Sequence, residues 1–265
     1  MLFRSDDYHW ITRFADSAAN TVFRCIPRKP LTEAEWSNLR LVAHRGCANP
    51  GHFIYENTLS AFQAARDAGV WGIEFDVQWT LDDWPVVIHD PHTAGLPGPG
   101  AVEVAKPELD ELRQLSPLVP RLEEVLEQFA THMHLMIELK GRVPNSRAEL
   151  RLRNCLSKLQ PVEEYHLMSL EPAPLRELDD YPVASKLLIA TTNTQSMFEH
   201  FRQGGFGGFT GHFLLLNQKM RAYLQSIDAP WGTGFVDSLN LLAREIRSGT
   251  TWMFSNAADR IMLSR

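Results

Sequence analysis

Two histidines frame one acidic strand in this chain. His44 closes the apolar run Leu41-Val42-Ala43 and is followed by Arg45-Gly46; His89 closes Val86-Val87-Ile88 and is followed by Asp90. Between them lies Gly72-Ile73-Glu74-Phe75-Asp76-Val77, with two carboxylates inside an otherwise apolar strand. Alternate side chains of a strand share a face, so Glu74 and Asp76 point one way while Ile73, Phe75 and Val77 point the other. Carboxylates so placed repel each other unless a cation or a proton lies between them. Oxygen-only ligands favour hard divalent ions, Mg²⁺ or Ca²⁺; the ordinary alternative is neutralisation by lysines or arginines of the same core. Two titratable imidazoles, a guanidinium able to hold two phosphoryl oxygens and a paired carboxylate are the ingredients for acid–base chemistry on an anionic, metal-bound substrate.

Further residues belong beside these. Glu138 lies in the apolar strand Leu135–Leu139 with Lys140 two places on, so the two share a face opposite Leu135, Ile137 and Leu139. Glu56 and Asn57 precede a helix, and simple helix-start chemistry suits Asn57 and Thr58 better than Glu56. His132 and His134 alternate on the strand of Glu138, but they sit toward its amino end, away from any site at the carboxyl ends of strands. His52 and His92 read as surface loop. Cys47 follows Gly46 with no histidine spacing that would make it a nucleophile. Gly204-Gly205-Phe206-Gly207-Gly208 lacks the ending of a P-loop and reads as a turn.

The elements that must position these groups alternate. A strand at 40–45 leads to a helix at 58–68, opened by Thr58 and closed by Gly69, with Leu59, Phe62 and Ala65 on one face. Strands are expected at 72–78, 85–89, 133–140, 164–169, 185–190, 212–216, 232–236 and 251–255, with a helix at 121–130 and helical stretches between most others. That makes nine candidates for eight places in a parallel barrel, which predicts one misread late strand or an irregular barrel. Residues 1–38 stand apart as an N-terminal helical extension: Trp10, Phe14 and Ala18 recur at helical spacing, and Pro27 and Pro30 end the pattern. Its basic residues would suit a membrane surface, but Asp6, Asp7 and Asp16 dilute them. The expected role is a helix covering the amino-terminal mouth of a barrel domain spanning 39–265.

A chain of 265 residues with 44% hydrophobic content can fill one large domain. A net charge of −6 gives no basis for binding nucleic acid or an anionic membrane, so an anionic substrate must be drawn by local charge. Three scattered cysteines suggest no disulfide framework or zinc site. No apolar stretch reaches membrane-spanning length, and the acidic start is unlike a signal peptide. The cytoplasm is the expected location, peripheral membrane contact is not favoured, and the oligomeric state is left open.

The order His44-Arg45-Gly46, Glu56-Asn57-Thr58, Glu74-Phe75-Asp76 and His89-Asp90 resembles that of the glycerophosphodiester phosphodiesterases. The resemblance continues through Pro120–Leu126 and Ile137–Lys140 and, faintly, Ser255–Asp259. It implies a TIM (β/α)₈ barrel with a short insertion after the third strand, and hydrolysis of a small-molecule glycerophosphodiester to glycerol 3-phosphate and an alcohol. It implies one divalent cation at Glu74, Asp76 and Glu138, substrate contacts from Arg45, Lys140 and Glu56, and acid–base roles shared by His44 and His89 in either order. Departures are visible at Gly234-Phe235-Val236-Asp237, at Ser169-Leu170 and in the segment Pro91–Val119, which is shorter than usual. These touch the pocket wall, so a lysophospholipid-cleaving phosphodiesterase and a catalytically silent phosphate-binding barrel stand as alternatives.

Overall fold

The computed structural model describes residues 21–98 and 100–265. Nine strands form one sheet: β1 (Leu41–His44), β2 (Gly72–Trp79), β3 (Pro85–Val87), β4 (His134–Leu139), β5 (Tyr165–Ser169), β6 (Lys186–Ala190), β7 (Gly208–His212), β8 (Trp231–Gly234) and β9 (Trp252–Ser255). All but β3 run parallel, and they close into a barrel because β1 pairs with both β9 and β2. The helices are α1 (Glu33–Ser37), α2 (Leu59–Asp67), α3 (Leu109–Leu115), α4 (Leu122–Phe129), α5 (Ser146–Leu156), α6 (Pro172–Arg176), α7 (Thr194–Arg202), α8 (Gln218–Ser226), α9 (Leu239–Arg247) and α10 (Ala258–Met262). The expected TIM barrel is the fold observed.

Strand periodicity divides the core in two. Leu41, Ala43, Ile73, Phe75, Val77, Leu135, Ile137 and Leu139 pack outward with Phe62 of α2 and Val125 and Phe129 of α4. Val42, Met136, Met168, Leu187, Trp252 and Phe254 form a separate cluster from the alternate strand positions, filling the barrel interior. Burying each such side chain contributes on the order of 1.5–3 kcal/mol. The barrel is therefore a plug of mostly apolar side chains between its two polar ends.

Two strand expectations are corrected. The surplus strand is the early one, 85–89. Its ordered part, β3, pairs antiparallel with the far end of β2 (Val77 opposite Val87, Trp79 opposite Pro85) and stays outside the barrel. Val86 and Ile88 pack with Val104, Leu109, Leu112 and Val119 in a cluster of their own, so the run is apolar without being a barrel stave. The insertion thus follows β3, which is the third strand in sequence but lies outside the barrel, between the barrel strands β2 and β4. The expected strand at 212–216 is instead β7 at Gly208–His212, and Leu214 and Leu215 are exposed on the rim beyond it. The glycines that hid β7 are needed there: a Cβ on Gly208 would stand 2.8 Å from Leu187 Cδ2 and from the Pro230 carbonyl oxygen.

Of the N-terminal extension, Trp10, Phe14 and Ala18 lie outside the described residues. The part that is described is bonded along α9. Phe23 meets Phe213 edge-on at 5.4 Å just beyond β7, and Asn240 Nδ2 donates to the Arg24 carbonyl at 2.7 Å. At the other end of α9, Arg247 donates to the carbonyls of Lys29 and Pro30 and pairs with Glu35 at 2.8 Å. Among the described residues no helix is long and apolar enough to cross a membrane.

Candidate active site

The carboxyl ends of β1, β2 and β4 converge on one polar cluster. Beyond His44 the chain turns through Arg45 (φ 56°) and Gly46 (φ 79°). A left-handed non-glycine residue costs roughly 1 kcal/mol or more, and here it aims the Arg45 backbone N–H at Glu74 Oε2, 3.0 Å away. Gly46 lies so close to α2 that a Cβ would be 2.8 Å from the Ala61 carbonyl carbon. The loop then returns through Asn57, also left-handed (φ 57°), whose N–H donates to the Arg45 carbonyl at 3.0 Å. Asn57 Nδ2 donates to Asp76 Oδ2 at 2.8 Å, and its Oδ1 accepts the Asp76 N–H at 3.2 Å. Asn57 is therefore a buried strut for Asp76, a role its helix-start position concealed.

Asp76 and Glu138 are paired across β2 and β4, and both are buried together with Glu74. One oxygen from each of the three lies within 4.8 Å of the others. Lys140 Nζ bridges Asp76 Oδ1 at 2.8 Å and Glu138 Oε1 at 2.5 Å. Arg45 Nε lies 3.3 Å from Asp76 Oδ2, and its Nη1 donates to Glu56 Oε1 at 2.9 Å.

His89 arrives from the other side of β2. The antiparallel return of β3 brings the Ile88 N–H to the Asp76 carbonyl at 2.9 Å. Gln78 Nε2 faces the carbonyls of Ile88, His89 and Asp90 at 3.1, 2.8 and 2.7 Å, propping the turn. His89 Nδ1 is 2.7 Å from Asp90 Oδ1. His44 Nδ1 is 2.8 Å from Asn256 Oδ1, while its Nε2 lies 3.8 Å from Glu74 Oε2. Phe235 meets the His44 ring edge-on at 5.8 Å.

Burial and mutual repulsion shape the charges. Burial, then Asp76, push the Glu74 carboxyl up to about 8 and that of Glu138 up to about 7. Burial also opposes ionisation of Asp76, but Lys140, Arg45 and His89 outweigh it and hold that carboxyl below its usual range. Both imidazoles are pushed down, first by burial; Arg45 adds to the effect at His44, and Lys140 and Arg45 add to it at His89. Glu74 Oε1 is buried and accepts no hydrogen bond from any described residue. A buried set of three carboxylates with an unused oxygen fits a hard divalent cation.

His44, Arg45, Glu56, Glu74, Asp76, His89, Glu138 and Lys140 thus gather at one mouth of the barrel. His132 is exposed elsewhere, and His134 is buried in the opposite end of the barrel, bonded to His166. Sequence reasoning did not foresee the contacts of Asn57, Gln78 and Asn256, which no local spacing signals.

The glycerophosphoryl diester phosphodiesterase family model matches residues 44–194, more than half of the chain. The chain belongs to that family. Glycerophosphodiester phosphodiesterase 1 of Mus musculus is 27% identical over 124 residues, which is 42% of this chain and 36% of that protein; the match therefore spans little over a third of the relative. An Oleispira antarctica phosphodiesterase, solved with its product sn-glycerol-3-phosphate, superposes with a TM-score of 0.70 at 20% identity, covering 87% of this chain and 99% of that one. A Thermotoga maritima glycerophosphodiester phosphodiesterase gives 0.69 at 20% identity, covering 86% and 98%. The family match holds His44, His89 and the acidic cluster, whereas Phe235 and Asn256 lie beyond its end.

Proposed function

We propose that this barrel hydrolyses glycerophosphodiesters to glycerol 3-phosphate and an alcohol by two-histidine acid–base catalysis. The observation that carries the reading is a pair of imidazoles, each tethered through Nδ1, flanking a buried cluster of three carboxylates, an arginine and a lysine. Arg45 and Lys140 supply the positive charge that a phosphodiester requires, and Glu56 steadies the guanidinium. With Nδ1 engaged, each ring offers Nε2 to the substrate. One imidazole takes the proton of the attacking hydroxyl, either the neighbouring hydroxyl of the glycerol or water, and the other returns a proton to the leaving alcohol; where the glycerol hydroxyl attacks, water then opens the cyclic phosphate with the two imidazole roles exchanged. Glu74, Asp76 and Glu138 would hold one Mg²⁺ or Ca²⁺, which when bound supplies Lewis-acid stabilisation of charge on the phosphoryl oxygens. Three free cysteines suit a reducing compartment, in keeping with a cytoplasmic location.

A second reading, cleavage of lysophospholipids, is favoured by apolar groups around the same mouth. Phe235 flanks His44, while Phe53 beyond β1 and Leu214 and Leu215 beyond β7 are exposed. One assay tests both: release of choline or ethanolamine from glycerophosphodiesters and from their lysophospholipid counterparts, each with Mg²⁺, with Ca²⁺ and with excess chelator. Turnover of the deacylated diesters that chelation abolishes is the expected result. Preference for the acylated substrates selects the second reading, and no turnover of either by folded, metal-supplied protein leaves only a silent phosphate-binding barrel.

A further inference from the structure

Asn256 lies beyond β9, outside the span of the family match, yet its side chain touches His44. We propose that Asn256 is a positioning residue that holds His44 in the tautomer protonated on Nδ1, leaving the Nε2 lone pair facing the anion site. The inference rests on the catalytic role proposed for His44.

The geometry selects one of two tautomers. With the amide oxygen toward the ring, Nδ1–H donates to Asn256 Oδ1 at 2.8 Å. With the amide turned over, Nδ2–H would donate to Nδ1 and the ring proton would move to Nε2. The nearest carboxylate oxygen there is Glu74 Oε2 at 3.8 Å, too far to accept it. The first arrangement satisfies the ring proton within the protein, and the second leaves it without a protein acceptor among the described residues.

The backbone that carries Asn256 is fixed, although the residue is exposed. Asp237 Oδ1 accepts the Asn256 N–H at 2.8 Å and the Ser255 hydroxyl at 2.9 Å, and Ser255 Oγ accepts the Ala257 N–H at 3.0 Å. The backbone of Val236, next to Asp237, donates to the Phe254 carbonyl at 3.0 Å, tying the loop after β8 to β9. Phe235 on that same loop meets the imidazole ring edge-on. One loop therefore supplies the anchor of Asn256 and a wall for the ring it orients, as second partners of functional histidines commonly do.

Asn256→Asp and Asn256→Leu separate an acceptor from a donor. An aspartate keeps an oxygen for Nδ1–H but cannot donate, and leucine does neither. The ring tautomer of His44 is read from long-range ¹⁵N–¹H correlations in metal-free protein at a pH roughly two units above the ordinary imidazole value. The wild type and Asn256→Asp should show the proton on Nδ1, and Asn256→Leu should show a mixture. With glycerophosphocholine as substrate, Asn256→Leu should lose about 10–100-fold in kcat with little change in KM, while Asn256→Asp stays near wild type. A wild-type proton on Nε2, an Asn256→Asp enzyme as damaged as Asn256→Leu, or an Asn256→Leu enzyme with full kcat would each overturn the proposal. Should the wild type turn over no glycerophosphodiester, the catalytic reading fails while the tautomer measurement still decides the assignment.

Discussion

Asp90 and Asn256 hold the two site histidines by the same ring nitrogen, and the difference between a carboxylate and an amide makes the pair unlike. His44→Ala and His89→Ala should each lower turnover by about 10²–10⁴-fold with the fold retained, the usual worth of a positioned acid or base. Near-wild-type kcat/KM in either folded variant would remove that histidine from the mechanism. A second expectation concerns Lys140, whose ammonium sits on oxygens of Asp76 and Glu138 that a divalent cation would need. Binding of such a cation must move that ammonium or share its charge. Lys140→Met should therefore bind Mg²⁺ or Ca²⁺ more tightly while its metal-free form loses about 1–3 kcal/mol, because Asp76 is left buried without its main counter-ion. Calorimetric titration with the metal alone, and denaturation with and without chelator, check the two halves. Unchanged affinity would mean that the lysine and the cation do not compete.

The β2–β3 hairpin is the element that delivers His89, and its tip is gripped from outside. Asp83, in a left-handed conformation (φ 67°), accepts from Asn145 Nδ2 at 2.8 Å and from Arg147 Nε at 2.6 Å. Arg151 of α5 stacks over the Trp84 ring at 3.7 Å and donates to the Asp82 carbonyl at 2.6 Å. Loosening this grip should let His89 wander. Arg151→Ala should cost about 1–2 kcal/mol and lower kcat by roughly tenfold, with faster amide exchange confined to the hairpin. Faster exchange with unchanged kcat would show that the hairpin tip does not set the position of His89. The sequence revealed that His89 ends an apolar run but not that the run leaves the barrel. A short apolar segment looks alike whether it packs as a stave or on an insertion, and only Val104, Leu109 and Leu112 decide the matter. Conversely β7 was missed because its inward positions include glycine, so the apolar alternation that marks a strand is absent where Leu187 fills the space.

Across the whole molecule, strand alternation made the acidic cluster legible because Glu74, Asp76 and Glu138 share inward faces with apolar barrel residues. It also placed His134 on that inner face, but no local pattern reveals that His166, on the neighbouring strand, is its partner. At the end of the barrel opposite the active site, His134 Nδ1–H donates to the Glu163 carbonyl at 3.1 Å, so its Nε2 accepts from His166 Nδ1, 2.8 Å away. Trp71 stacks on His134 at 4.5 Å, and Trp252 meets His166 edge-on at 4.9 Å. That arrangement needs His134 neutral. Burial pushes His134 down to about 4 and His166 down to about 3, with Arg40 opposing charge on both. A base whose folded pKa is depressed takes up protons first in the unfolded chain, so the pair's contribution to stability is full above the ordinary imidazole value and falls with pH below it. Between pH ~6.5 and ~4 the loss from His134 alone should be about 3 kcal/mol. His44 and His89 add to the loss in the same direction, whereas Glu74 and Glu138, raised to about 8 and about 7, take up protons first in the folded chain and offset it down to their ordinary value of 4.5; Asp76 and Asp83, held below their ordinary value of 3.8, lose their contribution only at lower pH. Replacing both rings (His134→Phe with His166→Phe) keeps aromatic shape and removes the buried donors and acceptors together. Urea denaturation across this pH range should then show the variant gaining stability relative to the wild type as pH falls, and direct titration of the two rings in the wild type should place both well below ordinary imidazole values. An unchanged pH dependence together with ordinary titration of both rings would leave the buried pair without a part in it.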